Sequence, residues 1–435
     1  MVNFKNFYKE AEKIILGGNM LLSKNPKMIL PNGWPTYFKK AKRIYVWDLK
    51  NKKYVDMMCL VGQSILGYSN NELDKKIFLK AKKGVISSLN CYEEVQLAKK
   101  ILKFHPWASM VKFARSGGEA NALAARIARA STGKDHIAVC GYHGWHDWYL
   151  SVNIGGKNNL SKFLLPGLEP HGVPKSLKGT CHPFQIHEID KLKDIIKKND
   201  LAAIYMEVAR NKLPDIKLLK EIRKLATKNK ICLIFDECTT GFRRNLGGLH
   251  LTTGVNPDLA MFGKALGNGY AITCVIGKKR FMQKAKKSFI SSTFWSERVG
   301  FLAGLYNLEI LEKKKPFENL IKVGKFLNYS WENLAKKYNL KISISGIETI
   351  SSFNFISKNN SLYRTYITQE MLKKGYLASN VVYLNIYHNK NVISNYIKNL
   401  DPIFKKISLF ENKKIKKIGL NGPISGFRFK RINDH

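Results

Sequence analysis

The sequence predicts an α/β protein: a mostly parallel sheet covered by helices in a large domain, plus a smaller α+β domain. Three observations carry this expectation. Between about residues 56 and 310, short apolar runs ("MVKFA", "HIAVCG", "AAIYMEV", "ICLIFDE", "LAMFG", "ITCVIG") alternate with lysine-studded helical segments. Continuously apolar strands separated by helices are buried on both faces. The 435 residues exceed what one core usually holds, so two unequal lobes are expected, and 45 % hydrophobic content suits a well-formed interior.

Along the chain, residues 1–55 hold an amphipathic helix, "FKNFYKEAEKIIL", and a hairpin, "RIYVWDLKNKKYVDM", whose turn is "DLKNKK". Residues 56–310 form the large domain. From 311 to 435 a charged helix leads into a smaller α+β segment. The N-terminal piece resembles a small-domain fragment, so the minor lobe is expected to draw strands from both ends of the chain.

The totals narrow the function. The start of the chain lacks a signal-peptide apolar core, and no apolar run approaches the roughly 18–20 residues that span a bilayer. The seven cysteines are scattered and never spaced C-x-x-C. That argues against disulfides or zinc, and for free thiols in a reducing, cytoplasmic setting. The net charge of +42 raises the question of nucleic acid. The lysines are spread over almost every predicted helix, and the chain is also rich in Ile and Asn. The charge is therefore read as compositional, with RNA binding on an inactive enzyme fold as the alternative.

Ligands of open α/β sheets bind at the carboxyl ends of strands, and four strand ends stand out. In "MVKFARSGGEANALAARIARA" (110–130), Ser116, Gly117 and Gly118 open an alanine-rich helix. Such a turn cradles a phosphate on free N–H groups or merely starts a helix, with Glu119 complementing the dipole. In "HIAVCGYHGWHDWY" (136–149), Tyr142 is placed to cover a planar ring. His143 and His146 have no third partner that would make a metal site, and none is expected. In "KICLIFDECTTGFRR" (230–244), Asp236 and Glu237 close an apolar strand. They are a solvated end, an ion pair with Arg243, or a carboxylate poised against a protonated heterocyclic nitrogen. In "MFGKALGNGYAITCVIG" (261–277), Lys264 enters a tight loop, as a snorkelling lysine or as a desolvated nucleophilic amine. Thr293, in "SSTFWSERVG", adds a hydroxyl. A phosphate cradle, a ring-stacking aromatic, a carboxylate and a nucleophilic lysine are together what pyridoxal 5′-phosphate requires.

These motifs in this order resemble the class III aminotransferases, fold-type I pyridoxal-phosphate enzymes that include glutamate-1-semialdehyde aminomutase. The resemblance runs from "ILGG" (15–18) to "LNGPISGFRFKRIN" (420–433). It implies Lys264 as the Schiff-base lysine, Asp236 as the pyridinium partner, Ser116, Gly117 and Gly118 as the phosphate turn, and Tyr142 as the stacking aromatic. Thr293 matches a threonine that reaches the phosphate of a neighbouring subunit, which implies a homodimer. His143 and Glu207 complete the expected cofactor-binding set.

Two departures bear on chemistry. The family turn usually carries Thr or Ser where Gly118 stands, so weaker phosphate anchoring is expected. The aminomutase arginine and glutamate have no counterparts: "GGNMLLSK" offers only Lys24, and "YLASNVVYLNIYHNK" (376–390) has no acid. Transamination between an amino donor and a carbonyl acceptor is therefore expected before an intramolecular amine shift. "STFWSERVG" associates with a subgroup acting in cell-surface sugar pathways. The segment 153–174 reads as a lid over the site or a plain surface loop.

Overall fold

The computed structural model describes residues 7–156, 159–160, 170–209 and 212–426. They divide into two compact units: residues 63–65 with 71–318, and residues 1–62 with 66–70 and 319–435.

Among the described residues, seven strands form the sheet of the larger unit: β1 (Met110–Ala114), β2 (His136–Cys140), β3 (Cys181–Pro183), β4 (Leu201–Glu207), β5 (Cys232–Asp236), β6 (Leu259–Phe262) and β7 (Thr273–Gly277). Their order is β1-β7-β6-β5-β4-β2-β3. The run β6-β5-β4-β2-β3 is parallel. β7 is antiparallel to both β6 and β1, because residues 263–272 leave no room for a crossover helix. β4, β5, β6 and β7 are buried almost throughout, which explains their unbroken apolar runs. The sequence gives no sign of β3, a three-residue edge strand that contains a proline.

Helix α1 (Gly117–Thr132) shows why alanine richness matters. Its buried Ala120, Leu123, Ala124, Ile127 and Ala128 recur at helical spacing and pack with Ile137, Val139, Ile234, Met261 and Val275 of the sheet. Small side chains let the helix lie close. Ser116 and Glu119 form a reciprocal capping box at its start, and Gly133 closes it in the left-handed conformation. Helix α2 (Ile216–Lys228) is capped by Asp215, which accepts from the N–H groups of Lys217 and Leu218. From α2, Arg223 reaches the fully buried Asp258 at 2.8 Å, where Lys278 and Arg280 also converge. Burial would raise the Asp258 pKa, but Arg223, the Leu233 N–H and Lys278 hold it below the ordinary value.

The smaller unit has its own aromatic core, in which Phe353 lies 4.8 Å from Trp331 and 5.7 Å from Phe404 between ring centres. The hairpin read in residues 43–56 is present, with Tyr45 opposite Val55. Tyr376–Leu377 pairs parallel to Lys53–Asp56, so one sheet joins early and late chain segments. No helix among the described residues is long and apolar enough to cross a membrane.

Candidate active site

Because β7 reverses direction, the carboxyl ends of β1, β2, β4, β5 and β6 lie along one edge of the sheet. Glu207 and Asp236 are direct register partners at that edge, and Asp236 pairs in turn with Met261. Register therefore brings together residues that are far apart in sequence.

Lys264 follows β6 in a short 3-10 turn with φ +42°. It is half-buried, although Ala265 and Leu266 beside it are fully buried. Its Nζ donates to Thr239 Oγ1 at 2.7 Å. Asp236 is buried; its Oδ1 accepts from the Cys238 N–H, and its Oδ2 lies 2.9 Å from His143 Nδ1. The His143 ring is clamped against Tyr205, with centroids 4.5 Å apart and planes 22° from parallel. A carboxylate with one oxygen on a backbone N–H and the other on an imidazole is held in a single orientation.

Cys238 marks the centre of the convergence. Its sulfur packs 3.4 Å from where a Cβ on Gly117 would stand and 3.0 Å from the same point on Gly263. The thiol is pushed up to about 12, chiefly by burial, with Lys264 opposing the rise and Asp236 and Glu207 adding to it. All three charges act on one sulfur. Tyr142 donates its backbone N–H to Glu207 Oε2 at 3.0 Å and meets Tyr149 edge-on. Glu207 thus positions the Tyr142 loop, and the chain can pass it only because Gly141 (φ +125°) has no Cβ.

At the N-terminus of α1, the Ser116 N–H goes to Glu119 Oε2 and the Glu119 N–H goes to Ser116 Oγ. Gly117 and Gly118 occupy the first helical turn, whose N–H groups have no intrahelical acceptor. Burial would raise the Glu119 pKa, but the Ser116 N–H, the Trp295 indole and the Arg115 N–H hold it below the ordinary value. Arg115 spans to the next element: it meets Glu297 Oε1 at 3.2 Å and the carbonyls of Trp295 and Glu297. Glu297 also caps helix α3 (Arg298–Lys314). Thr293 opens the adjoining turn and is exposed.

The structure therefore gathers Lys264, Asp236, His143, Tyr142, Glu207 and the Ser116–Gly118 turn on one sheet edge. Glu237, the second acid, turns away: it accepts from Thr240, from the N–H groups of Leu249 and His250, and from the His250 ring. His143 serves Asp236, and no three His, Cys, Asp or Glu side chains cluster as metal ligands among the described residues. All seven cysteines are free, three of them only half-buried. Lys24 and the 376–390 segment belong to the other unit. Residues 157–158 and 161–169 of the lid reading, and 427–433 of the C-terminal motif, lie outside the described residues. Sequence reading missed Thr239 and the Arg115–Glu297 brace, since the first of two threonines in "CTTGF" and one more arginine carry no distinguishing pattern.

The site fits pyridoxal 5′-phosphate on its own geometry: an amine held at 2.7 Å by a hydroxyl, an oriented buried carboxylate, and two unengaged helix N–H groups. Comparison with known proteins agrees. Residues 31–390 match the family Aminotransferase class-III. The chain is 31 % identical over 394 residues to a 3-aminobutyryl-CoA aminotransferase of Cloacimonas acidaminovorans, covering 88 % of this chain and 90 % of that protein. It is 27 % identical over 428 residues to a glutamate-1-semialdehyde 2,1-aminomutase of Hyperthermus butylicus, covering 93 % and 98 %. The fold matches the PLP internal aldimine form of the Sphingopyxis sp. MTA144 FumI protein with a TM-score of 0.84 at 22 % identity, over 95 % of this chain and 98 % of that one. With the match spanning most of its length, the chain belongs to the class III aminotransferases, the pyridoxal-phosphate-dependent transaminases.

Proposed function

We propose that the protein moves an amino group from an amino donor to a carbonyl acceptor in two half-reactions, with Lys264 as the proton-carrying amine. The carrying observation is the convergence of Lys264 Nζ, the Asp236–His143 pair and the Gly117–Gly118 turn at one sheet edge. Bound there, pyridoxal 5′-phosphate supplies an aldehyde for the amine and a ring that withdraws electrons from the substrate α-carbon. With that group held, Lys264 would be the amine that meets its aldehyde and, when free, the base that moves the substrate α-proton. Asp236 holds a proton at the ring nitrogen, and His143 keeps that carboxylate aimed. Tyr142 covers one ring face, Glu207 fixes the Tyr142 loop, and the Ser116–Gly118 turn takes the phosphate.

Thr293 completes the phosphate site of a second copy in a homodimer. In support, Phe289 and Phe294 flank it with 86 % and 70 % of their surface exposed, an apolar pair that a partner would cover. Seven free cysteines support a cytoplasmic enzyme. Carbonyl sugar derivatives are the first acceptors to test.

Purified protein should trap the cofactor on Lys264 after borohydride reduction, visible as a labelled peptide by mass spectrometry. Lys264→Ala should abolish both trapping and turnover, a loss of at least about 10²-fold. Retained trapping or turnover in that variant defeats the assignment. Product formed from a single amino-aldehyde without any added amino donor would favour the intramolecular aminomutase reading instead.

A further inference from the structure

The turn at the head of α1 offers no side chain at residue 118, yet the space such a side chain would occupy is filled. A Cβ built on Gly118 would stand 2.7 Å from His146 Cε1, 2.9 Å from His146 Nδ1 and 3.5 Å from Trp145 Nε1. The contact is close because the 143–146 loop lies flat on the helix start: a Cβ on Gly144 would come within 3.0 Å of the Gly118 Cα. His146 is anchored by its own backbone, whose carbonyl accepts from the N–H groups of Tyr149 and Leu150. The Trp145 indole stacks on its ring, with centroids 4.5 Å apart and planes 30° from parallel. Within this fixed frame His146 Nδ1 is buried and has no hydrogen-bond partner among the described residues. A buried ring nitrogen without a partner is costly unless a ligand supplies one.

We propose that His146, seconded by the Trp145 indole, is a phosphate-binding residue that supplies the side-chain donor residue 118 cannot. The inference rests on the cofactor reading above. Nδ1–H and the two glycine N–H groups then present three donors to one anion at a helix N-terminus. The arrangement also implies exclusivity. A hydroxyl residue at 118 and an imidazole at 146 compete for one space, so either can serve but not both.

The test uses apoprotein and pyridoxamine 5′-phosphate, which binds without a covalent link to Lys264, with unphosphorylated pyridoxamine as control. His146→Ala should weaken pyridoxamine 5′-phosphate about tenfold by calorimetry, or about 1.4 kcal/mol, and leave pyridoxamine unchanged. Gly118→Ser alone should weaken it too, by crowding His146. The double variant Gly118→Ser/His146→Ala should recover most of the loss, a coupling read from the cycle. His146→Asn, which keeps a donor, serves if the alanine variant is unstable, and should lose less than tenfold. Unchanged affinity in a folded His146→Ala protein overturns the proposal, as do equal losses for both ligands. Wild-type apoprotein that binds neither ligand overturns the cofactor reading itself, and the proposal with it.

Discussion

The Lys264 amine rests on a single hydroxyl, Thr239 Oγ1, 2.7 Å away. The lysine holds φ +42°, a left-handed conformation that costs a non-glycine residue about 1 kcal/mol or more. The turn sustains it through the Leu266 N–H to the Gly263 carbonyl and the Gly267 N–H to the Lys264 carbonyl. Thr239 therefore aims a flexible chain whose backbone is already fixed. Thr239→Val should lower kcat about fivefold with little change in KM, the value of one hydrogen bond near 1 kcal/mol. Thr239→Ser should restore the rate. Equal steady-state constants for wild type and the valine variant would show that the hydroxyl does not guide the amine.

At the scale of elements, Glu297 joins two that the sheet alone would leave independent. It caps α3 through the N–H groups of Val299 and Gly300 and braces Arg115, which in turn holds the Trp295 and Glu297 carbonyls. Burial lowers the Arg115 pKa despite Glu297, so removing the acid leaves a poorly solvated cation. Glu297→Ala should destabilise the protein by about 2–3 kcal/mol, the sum of a lost cap and an orphaned charge. A shift below about 0.5 kcal/mol in urea unfolding would contradict the brace.

Elements of this kind differ in how plainly the sequence announces them. β4, β5, β6 and β7 were legible because buried strands need uninterrupted apolar residues, and β2 for its buried centre. β1 was read from a short apolar run, although it lies at the sheet's end with Lys112 exposed. β3 was not, being short, at the edge and proline-bearing. The reversed direction of β7 was not read either, although the short stretch 263–272, too brief for a crossover helix, carries it. In the site, Lys264, Asp236 and the Ser116 turn showed themselves as polar groups at apolar strand ends. His146 did not, because its significance depends on a missing side chain 28 positions earlier.

For the whole molecule, stability should depend on pH through buried imidazoles. His105 is enclosed with its ring nitrogens spent on the Ile101 carbonyl and the Gly248 N–H, and burial lowers it to about 4. An unfolded histidine takes its proton near pH 6.5. Above that value neither state is protonated and the full stability is present. As pH falls from 6.5 towards 4, only the unfolded chain gains the proton, so up to about 3 kcal/mol is lost. His146 and His182, also depressed by burial, act in the same direction. Urea midpoints should fall between pH 7 and pH 4.5, and His105→Gln should flatten that slope. A slope unaltered by the substitution would remove His105 from the account. Charge at this scale is less concentrated than +42 suggests. Where Lys80, Lys99, Lys100 and Lys103 gather with Tyr92 and Tyr306, Glu309 and Glu312 are already paired into the cluster with Lys76, Lys100 and Lys103.

The antiparallel pairing of β6 with β7 has a kinetic corollary. Cys274 meets Phe262 across it, so the loop carrying Lys264 closes by contacts only about a dozen residues apart. Asp236 and His143, by contrast, must find each other over 93 residues. Local closure costs less chain entropy than distant pairing. In pulse-labelled refolding, amides of residues 259–277 should gain protection before those of 136–140; the reverse order would refute this. The amine is then in place before the pocket that uses it exists.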